Sequence, residues 1–322
     1  MEITITGANA ITYPSLHIWN WMVSVYLFCG GLAAGLLIMS AIANLKAGPA
    51  NPEDRVDAVR AALLAPFVLM FGMLFIWLDL ERHFNTYWFF LSFRPAAPMS
   101  WGGWGLGLGV PVSLAYALSN VSQEHRQWLR FDFLKELAAR LNPYLKPLAK
   151  IVFALGIFIG IYTGVLLSVL VARPLWNTPV LPIHCLVSAL STGAAVIILI
   201  ATRSSTQLFF TKINIWLITT DLVLMVFDFL GHLTSVTSHR ESILPFFTYT
   251  SQYFVFGVAF VLIALLFPLA LVSMLLCVKE GNKGELSGAA RFRMKLSAVM
   301  VLAAAFIIRL AWVYAGQLTK LS

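Results

Sequence analysis

Charge is what this chain lacks most. Only 11% of its 322 residues are Asp, Glu, Lys or Arg, while 60% are hydrophobic; a water-exposed domain carries roughly 25% charged residues. That shortage excludes a soluble globule. Cysteine is also scarce. Cys29, Cys185 and Cys277 lie scattered in or near apolar runs and match no zinc, iron–sulfur or CxxCH spacing. The alternating pattern of barrel strands is absent, which leaves helices as the means of crossing a bilayer. No Lys or Arg precedes the first apolar run, so a cleavable signal peptide is not expected.

What is present is a series of apolar runs that reach the ~18 residues a membrane helix needs. Eight are read, near 18–44, 60–80, 102–120, 149–172, 184–203, 213–234, 248–278 and 296–316. The expected fold is therefore all-α: one polytopic membrane domain over 1–322, with eight transmembrane helices arranged as two four-helix bundles. The net charge of +8 could suggest nucleic acid, but its placement argues against that. Lys and Arg crowd alternate connections: Lys46, Arg55 and Arg60; Arg126 through Lys150; Arg203 and Lys212; Lys279 through Lys295. The other connections and the tail hold only Arg82, Arg94, Arg173, Arg240 and Lys320. The positive-inside rule then places both termini outside the cytoplasm of a bacterial or archaeal inner membrane. The partner of this surface is lipid, with no nucleic acid. Segment 124–146 mixes basic and apolar residues and reads as an amphipathic stretch on the cytoplasmic face. The outer connection 83–101, "HFNTYWFFLSFRPAAPMSW", is aromatic enough to lie at the interface, cover a pocket or meet a partner.

Against this apolar background a few polar groups stand out. "TTDLVLMVFDFLGHLTS" carries Asp221, Asp228 and His232, seven and eleven residues from the first, within ~20° on one helix face. Arg309 in "FIIRLAW" falls at a depth between the two aspartates. Charge at mid-membrane costs at least ~2.5 kcal/mol per residue. The group is either a buried ion pair joining the sixth and eighth helices, or a proton path leaving through His232. "VFDFLGH" has a counterpart in "WLDLERH", where Asp79 precedes His83 by four; parallel repeats over 15–172 and 182–316 are one reading of this.

The histidines exclude a transmembrane di-haem cytochrome, which needs two pairs at two depths. His17, His83, His184, His232 and His239 map to the outer edge or outer loops, and His125 to a cytoplasmic one. His17 opens the first helix, with Asn20, Trp21 and Ser24 on its face. A quinone headgroup asks for such groups: hydrogen bonds to two oxygens, an aromatic wall and proton exchange. Tyr162 and Thr163 could add hydroxyl donors. Interfacial anchoring by Trp and Tyr is the plainer alternative. "GGLAAG" reads as close helix packing through Gly31 and Gly35.

Four stretches together, "HIWNWMVSVYLFCGGLAAGLL", "FIWLDLERHFNTYWFF", "PMSWGGWGLGL" and "IYTGVLLSVLVARPLWNTPVLPIHCLVSALSTGAA", resemble the NrfD-type family of polysulfide reductase membrane subunits. The resemblance covers about residues 15–235 and is most specific in the Tyr-Thr-Gly run followed by Leu-Trp-Asn-Thr-Pro. It implies a quinone-reactive anchor without haem or an iron–sulfur cluster of its own, which uses menaquinone or ubiquinone. It implies as partners a ferredoxin-like iron–sulfur subunit and a catalytic subunit, usually molybdenum-containing, on the outer face. It implies a quinone site at His17 and Tyr162, with Asn20 and Asp79 beside them; Trp21 joins this set from its place on the helix face of His17. No residue of this chain is expected to bind a metal or to catalyse a reaction alone. A proton-coupled transporter or proton channel using Asp221, Asp228, His232 and Arg309 is the rival reading.

Overall fold

Long apolar stretches punctuated by basic connections give long helices, because a bilayer-buried backbone must satisfy its hydrogen bonds internally. The computed structural model describes residues 19–45, 52–91, 93–121, 130–248, 253–281 and 287–318. These form α1 (Trp21–Asn44), α2 (Pro52–Asp79), α3 (Tyr87–Leu91), α4 (Pro98–Ser119), α5 (Asp132–Leu141), α6 (Leu145–Ser168), α7 (Val180–Ile200), α8 (Ser204–Thr234), α9 (Thr237–Phe247), α10 (Phe254–Gly281) and α11 (Gly288–Leu318). Among the described residues there is no strand. Seven helices are long and apolar enough to cross a membrane: α1, α2, α6, α7, α8, α10 and α11. The eighth expected crossing, α4, has 22 residues but is rich in glycine and falls outside that set.

The helices pack as two rings. In the first, α1 contacts α2, α2 contacts α4, α4 contacts α6 and α6 returns to α1. The second repeats this pattern with α7, α8, α10 and α11. Across the junction α1 meets α7, while α6 reaches α7 and α11 reaches α1. Two glycines set this junction. A Cβ on Gly193 would stand 2.4 Å from the carbonyl carbon of Gly35, and one on Gly35 would stand 1.9 Å from the Ala189 carbonyl oxygen. Only backbone fits there, so "GGLAAG" does serve close helix approach.

Side-chain bonds fix which ends lie together. At the basic end, Asn44 Nδ2 donates to the Tyr116 hydroxyl (2.6 Å) and to Asn120 Oδ1 (2.9 Å), tying α1 to α4. At the opposite end, Gln317 exchanges two hydrogen bonds with the Trp19 backbone, and Arg173 donates to the Gln317 carbonyl. The exterior is apolar, as lipid requires: Trp216, Phe227, Val255, Leu265 and Leu276 are all exposed. The described part of the amphipathic segment folds as α5, with Phe131 and Phe133 outward beside two surface ion pairs, Lys135–Asp132 and Arg140–Glu136.

Three expectations change. Hydropathy starts the sixth run at residue 213, but α8 begins at Ser204. Its first turns are polar in sequence, yet Thr206, Gln207 and Thr211 are buried inside the protein. Asp79 is the last residue of α2, so His83 does not share its helix face; His83 sits in a separate 3₁₀ turn with Nδ1 2.7 Å from the Trp77 carbonyl oxygen. The likeness of "WLDLERH" to "VFDFLGH" is thus one of spelling and not of conformation. His184, expected at the outer edge, lies in the second turn of α7 and is buried.

Candidate functional site

The buried polar core of the second ring is built from four elements. Asp221, Asp228 and His232 follow one another along the inner face of α8, and all three are buried. Asp221 is fully enclosed and accepts a 2.7 Å hydrogen bond on Oδ1 from Nδ1 of His184. Arg309, expected from its depth to pair with a carboxylate, has none within 4.0 Å among the described residues. Its guanidinium instead donates to Ser188 Oγ of α7 (3.1 Å), the Leu27 carbonyl of α1 (3.3 Å) and the Ala305 carbonyl (3.2 Å). Arg309 therefore ties α11 to α1 and α7, not to α8. Room for it comes from Gly31, where a Cβ would stand 2.8 Å from Nη2. Glycine in "GGLAAG" thus makes space for a charge at one position and for a backbone at the next.

Asp228 is held by a different loop. Thr178 Oγ1 donates to its Oδ1 at 2.8 Å, so the Asn-Thr-Pro of the connection before α7 reaches directly into the core. Trp176 of the same loop is buried, stacks on Trp19 (5.2 Å) and donates to the Trp312 carbonyl. It lies against Gly316, where a Cβ would meet its Nε1 at 2.0 Å. His232 Nδ1 faces the Asp228 carbonyl at 2.8 Å and Nε2 faces the Pro174 carbonyl at 3.3 Å. Carbonyls only accept, so both contacts form together only when both ring nitrogens carry protons. His239 lies nearby, its ring 5.3 Å from that of His232.

Among the described residues, two buried atoms of these charged groups have no partner: Asp221 Oδ2 and Arg309 Nη2. A cavity of about 20 Å³, lined by Thr163, His184, Cys185, Ser188, Arg309 and Trp312, has the volume one water needs. Unsatisfied buried groups of this kind call for such a water. Two carboxyl groups and one guanidinium share a core from which unpaired charge is strongly excluded. Neutrality therefore needs one more proton, held on a carboxyl or on His184 or His232.

The candidate quinone residues fall at the junction and rim of the first ring. His17 lies outside the described residues. Asn20 caps α1, its Oδ1 accepting from the Met22 amide at 2.8 Å, and its side chain also reaches the Asp79 carboxyl. Trp21 is about half exposed and meets Phe75 edge-on at 5.6 Å. The structure thus brings Asn20, Trp21 and Asp79 to one rim. Tyr162 sits deeper, buried in α6, and stacks on Phe158 at 6.0 Å. Its ring rests on the backbone of α4: a Cβ on Gly102 would stand 1.8 Å from its hydroxyl. Tyr26, also buried, lies within electrostatic reach of it. Neither tyrosine hydroxyl forms a hydrogen bond among the described residues.

Sequence reasoning missed the partners His184, Thr178, Ser188 and Tyr26. His184 had a signal in the apolar residues Val180, Leu181 and Ile183 ahead of it, which open α7 and carry it inward from the rim. Thr178 and Ser188 had none, since uncharged hydroxyls are common in membrane helices.

Fold and site together define a class: a polytopic helical membrane protein with an apolar exterior enclosing a few buried ionisable and hydroxyl groups. The chain belongs to the NrfD family, whose pattern, described as "Polysulphide reductase, NrfD", matches residues 9–320. It is 31% identical over 177 residues to the C subunit of the polysulfide reductase of Wolinella succinogenes, covering 55% of this protein and 56% of that one. It is 27% identical over 197 residues to protein NrfD of Escherichia coli, covering 60% and 62%. It is 26% identical over 243 residues to the NrfD homolog of Haemophilus influenzae, covering 68% and 71%. The first two alignments therefore span less than two thirds of those relatives.

Proposed function

We propose that this chain is the quinone-reactive membrane subunit of a respiratory oxidoreductase, with eight crossings, α4 among them, and both termini outside the cytoplasm. Its partners are a ferredoxin-like iron–sulfur subunit and a catalytic, molybdenum-type subunit on the outer face. The observation that carries the reading is Tyr162, a largely buried side chain whose hydroxyl forms no hydrogen bond among the described residues and is held against Gly102, in a chain of this family. A hydroxyl with no partner in the protein is free to donate to a ligand oxygen. Quinone, when bound, supplies the two-electron, two-proton chemistry. The protein's part is to donate a hydrogen bond from Tyr162 and to orient a second oxygen with His17 and Asn20. Trp21 shields the ring, and Asp79 at the rim exchanges protons. The two rings are read as parallel repeats with only the first retaining this site.

In the second ring, His184, Asp221, Asp228 and His232 store and pass protons, with Arg309 supplying fixed positive charge. Support comes from the charge balance and from the cavity beside His184, Ser188 and Arg309, which has room for one water. A transporter would use the same groups, but α8 runs unbroken through Asp221, without the interrupted helices on which many transporter sites are built. The test is quinol-analogue oxidation by the purified complex with Tyr162→Phe. We expect kcat/KM to fall roughly ten- to a hundredfold, the worth of one strong hydrogen bond; unchanged kinetics in a folded complex would remove Tyr162 from the site.

A further inference from the structure

At the basic end of the second ring a cleft of about 470 Å³ opens between the last turn of α7 and the first turns of α8 and α11. Its walls include Leu199, Ile200, Gln207, Arg291, Phe292 and Lys295. Arg291 and Lys295 are exposed, lie one turn apart on the same face of α11 and form no ion pair among the described residues. Like charges at this spacing repel. Their neighbour Arg293 is different, since Glu280 takes its charge and is itself held by Ser287. Among the described residues, the pair of cations therefore faces the cleft without an anion.

Three further features shape the cleft. The cleft opens at the N-terminus of α11, where amide N–H groups also favour an anion. Gln207 is buried, and its amide orientation is fixed because Nε2 donates to the Ile198 and Ala201 carbonyls (3.3 and 2.9 Å). Its Oε1 is enclosed in the cleft wall and has no partner among the described residues. From the cations an apolar stripe of Phe292, Leu296 and Val299, all exposed, runs along α11 toward mid-membrane, at the i, i+4, i+7 spacing of one helix face.

We propose that this cleft binds an anionic glycerophospholipid. The phosphodiester lies between Arg291 and Lys295, and an acyl chain follows Phe292, Leu296 and Val299. A free phosphate would satisfy the cations but leave the stripe unused, so the structure favours the lipid. Basic pockets at a membrane face gain about 1 kcal/mol per cation from anionic headgroups, or roughly fivefold in affinity each.

The experiment measures binding of phosphatidylglycerol and phosphatidylcholine to the purified, delipidated full-length protein in detergent by native mass spectrometry. Phosphatidylglycerol should bind tightly, and the Arg291→Gln/Lys295→Gln double variant should bind it about thirtyfold more weakly. Each single variant should lose about fivefold, and these surface changes leave elution on size exclusion unaltered. Arg293→Gln, whose charge is already paired, should not change affinity. Equal binding of phosphatidylcholine, unaltered binding in the double variant, or full displacement by millimolar inorganic phosphate would each overturn the proposal.

Discussion

Asp221→Asn separates a proton-handling core from a merely structural one. The aspartate is fully buried and its Oδ1 accepts from His184 at 2.7 Å, while Oδ2 has no partner among the described residues. Asparagine keeps the volume and can still accept that bond through its own Oδ1. It replaces the unpartnered oxygen by an NH₂ and removes the negative charge. Hydrogen bonds to charged groups contribute about 1.5–3 kcal/mol in soluble proteins. Direct measurements between membrane helices average about 0.6 kcal/mol with a maximum near 1.7. Destabilisation of about 1–2 kcal/mol is therefore expected, too little to unfold a membrane domain. The functional loss should be larger. With one carboxylate gone, Asp228 and Arg309 balance each other and the core no longer needs its extra proton. In proteoliposomes with a trapped pH dye, quinol oxidation should continue while coupled proton uptake disappears. Uptake that survives in Asp221→Asn, with oxidation intact, refutes the reasoning. Loss of the folded protein would assign Asp221 to structure instead.

Three further outcomes follow from close contacts. Gly102→Ala places a methyl 1.8 Å from the Tyr162 hydroxyl. The ring must move by roughly 1.5 Å, a misplacement of the order that costs ~10²-fold in rate; quinol-analogue kinetics should show it, with thermal stability lowered by about 1–3 kcal/mol. Gly193→Ala puts a methyl 2.4 Å from the backbone of Gly35 and forces the two rings apart. The melting temperature of the purified subunit should drop more than for Gly102→Ala, because the obstacle is backbone and cannot rotate away. Thr178→Val leaves Asp228 Oδ1 without its donor, costing about 1–3 kcal/mol. Thr178→Ser should restore most of that in the same unfolding assay.

The helix order was legible because bilayer length and hydropathy act on each segment alone. So were the packing role of Gly35 and the inward stripe of Asp221, Asp228 and His232, which depend on spacing within one helix. What could not be read was choice of partner across helices. Depth along the chain puts Arg309 between two carboxylates, yet it turns toward Ser188 and Leu27, and His184 takes Asp221 instead. The start of α8 is hidden in the sequence because Thr206, Gln207 and Thr211 look like loop residues until neighbouring helices bury them. The Leu-Trp-Asn-Thr-Pro run is visible as a motif, but its use is not. Its Trp176 seals the junction and its Thr178 holds Asp228, contacts made over 136 and 50 residues of sequence.

The central claim is that quinone meets this chain at the rim of α1 above Tyr162. The most direct measurement is quinol-analogue oxidation by the intact complex carrying His17→Ala and Tyr162→Phe, singly and together. The account predicts a fall in kcat/KM of roughly ten- to a hundredfold for each, with assembly and melting temperature retained. Wild-type kinetics in the double variant would contradict it.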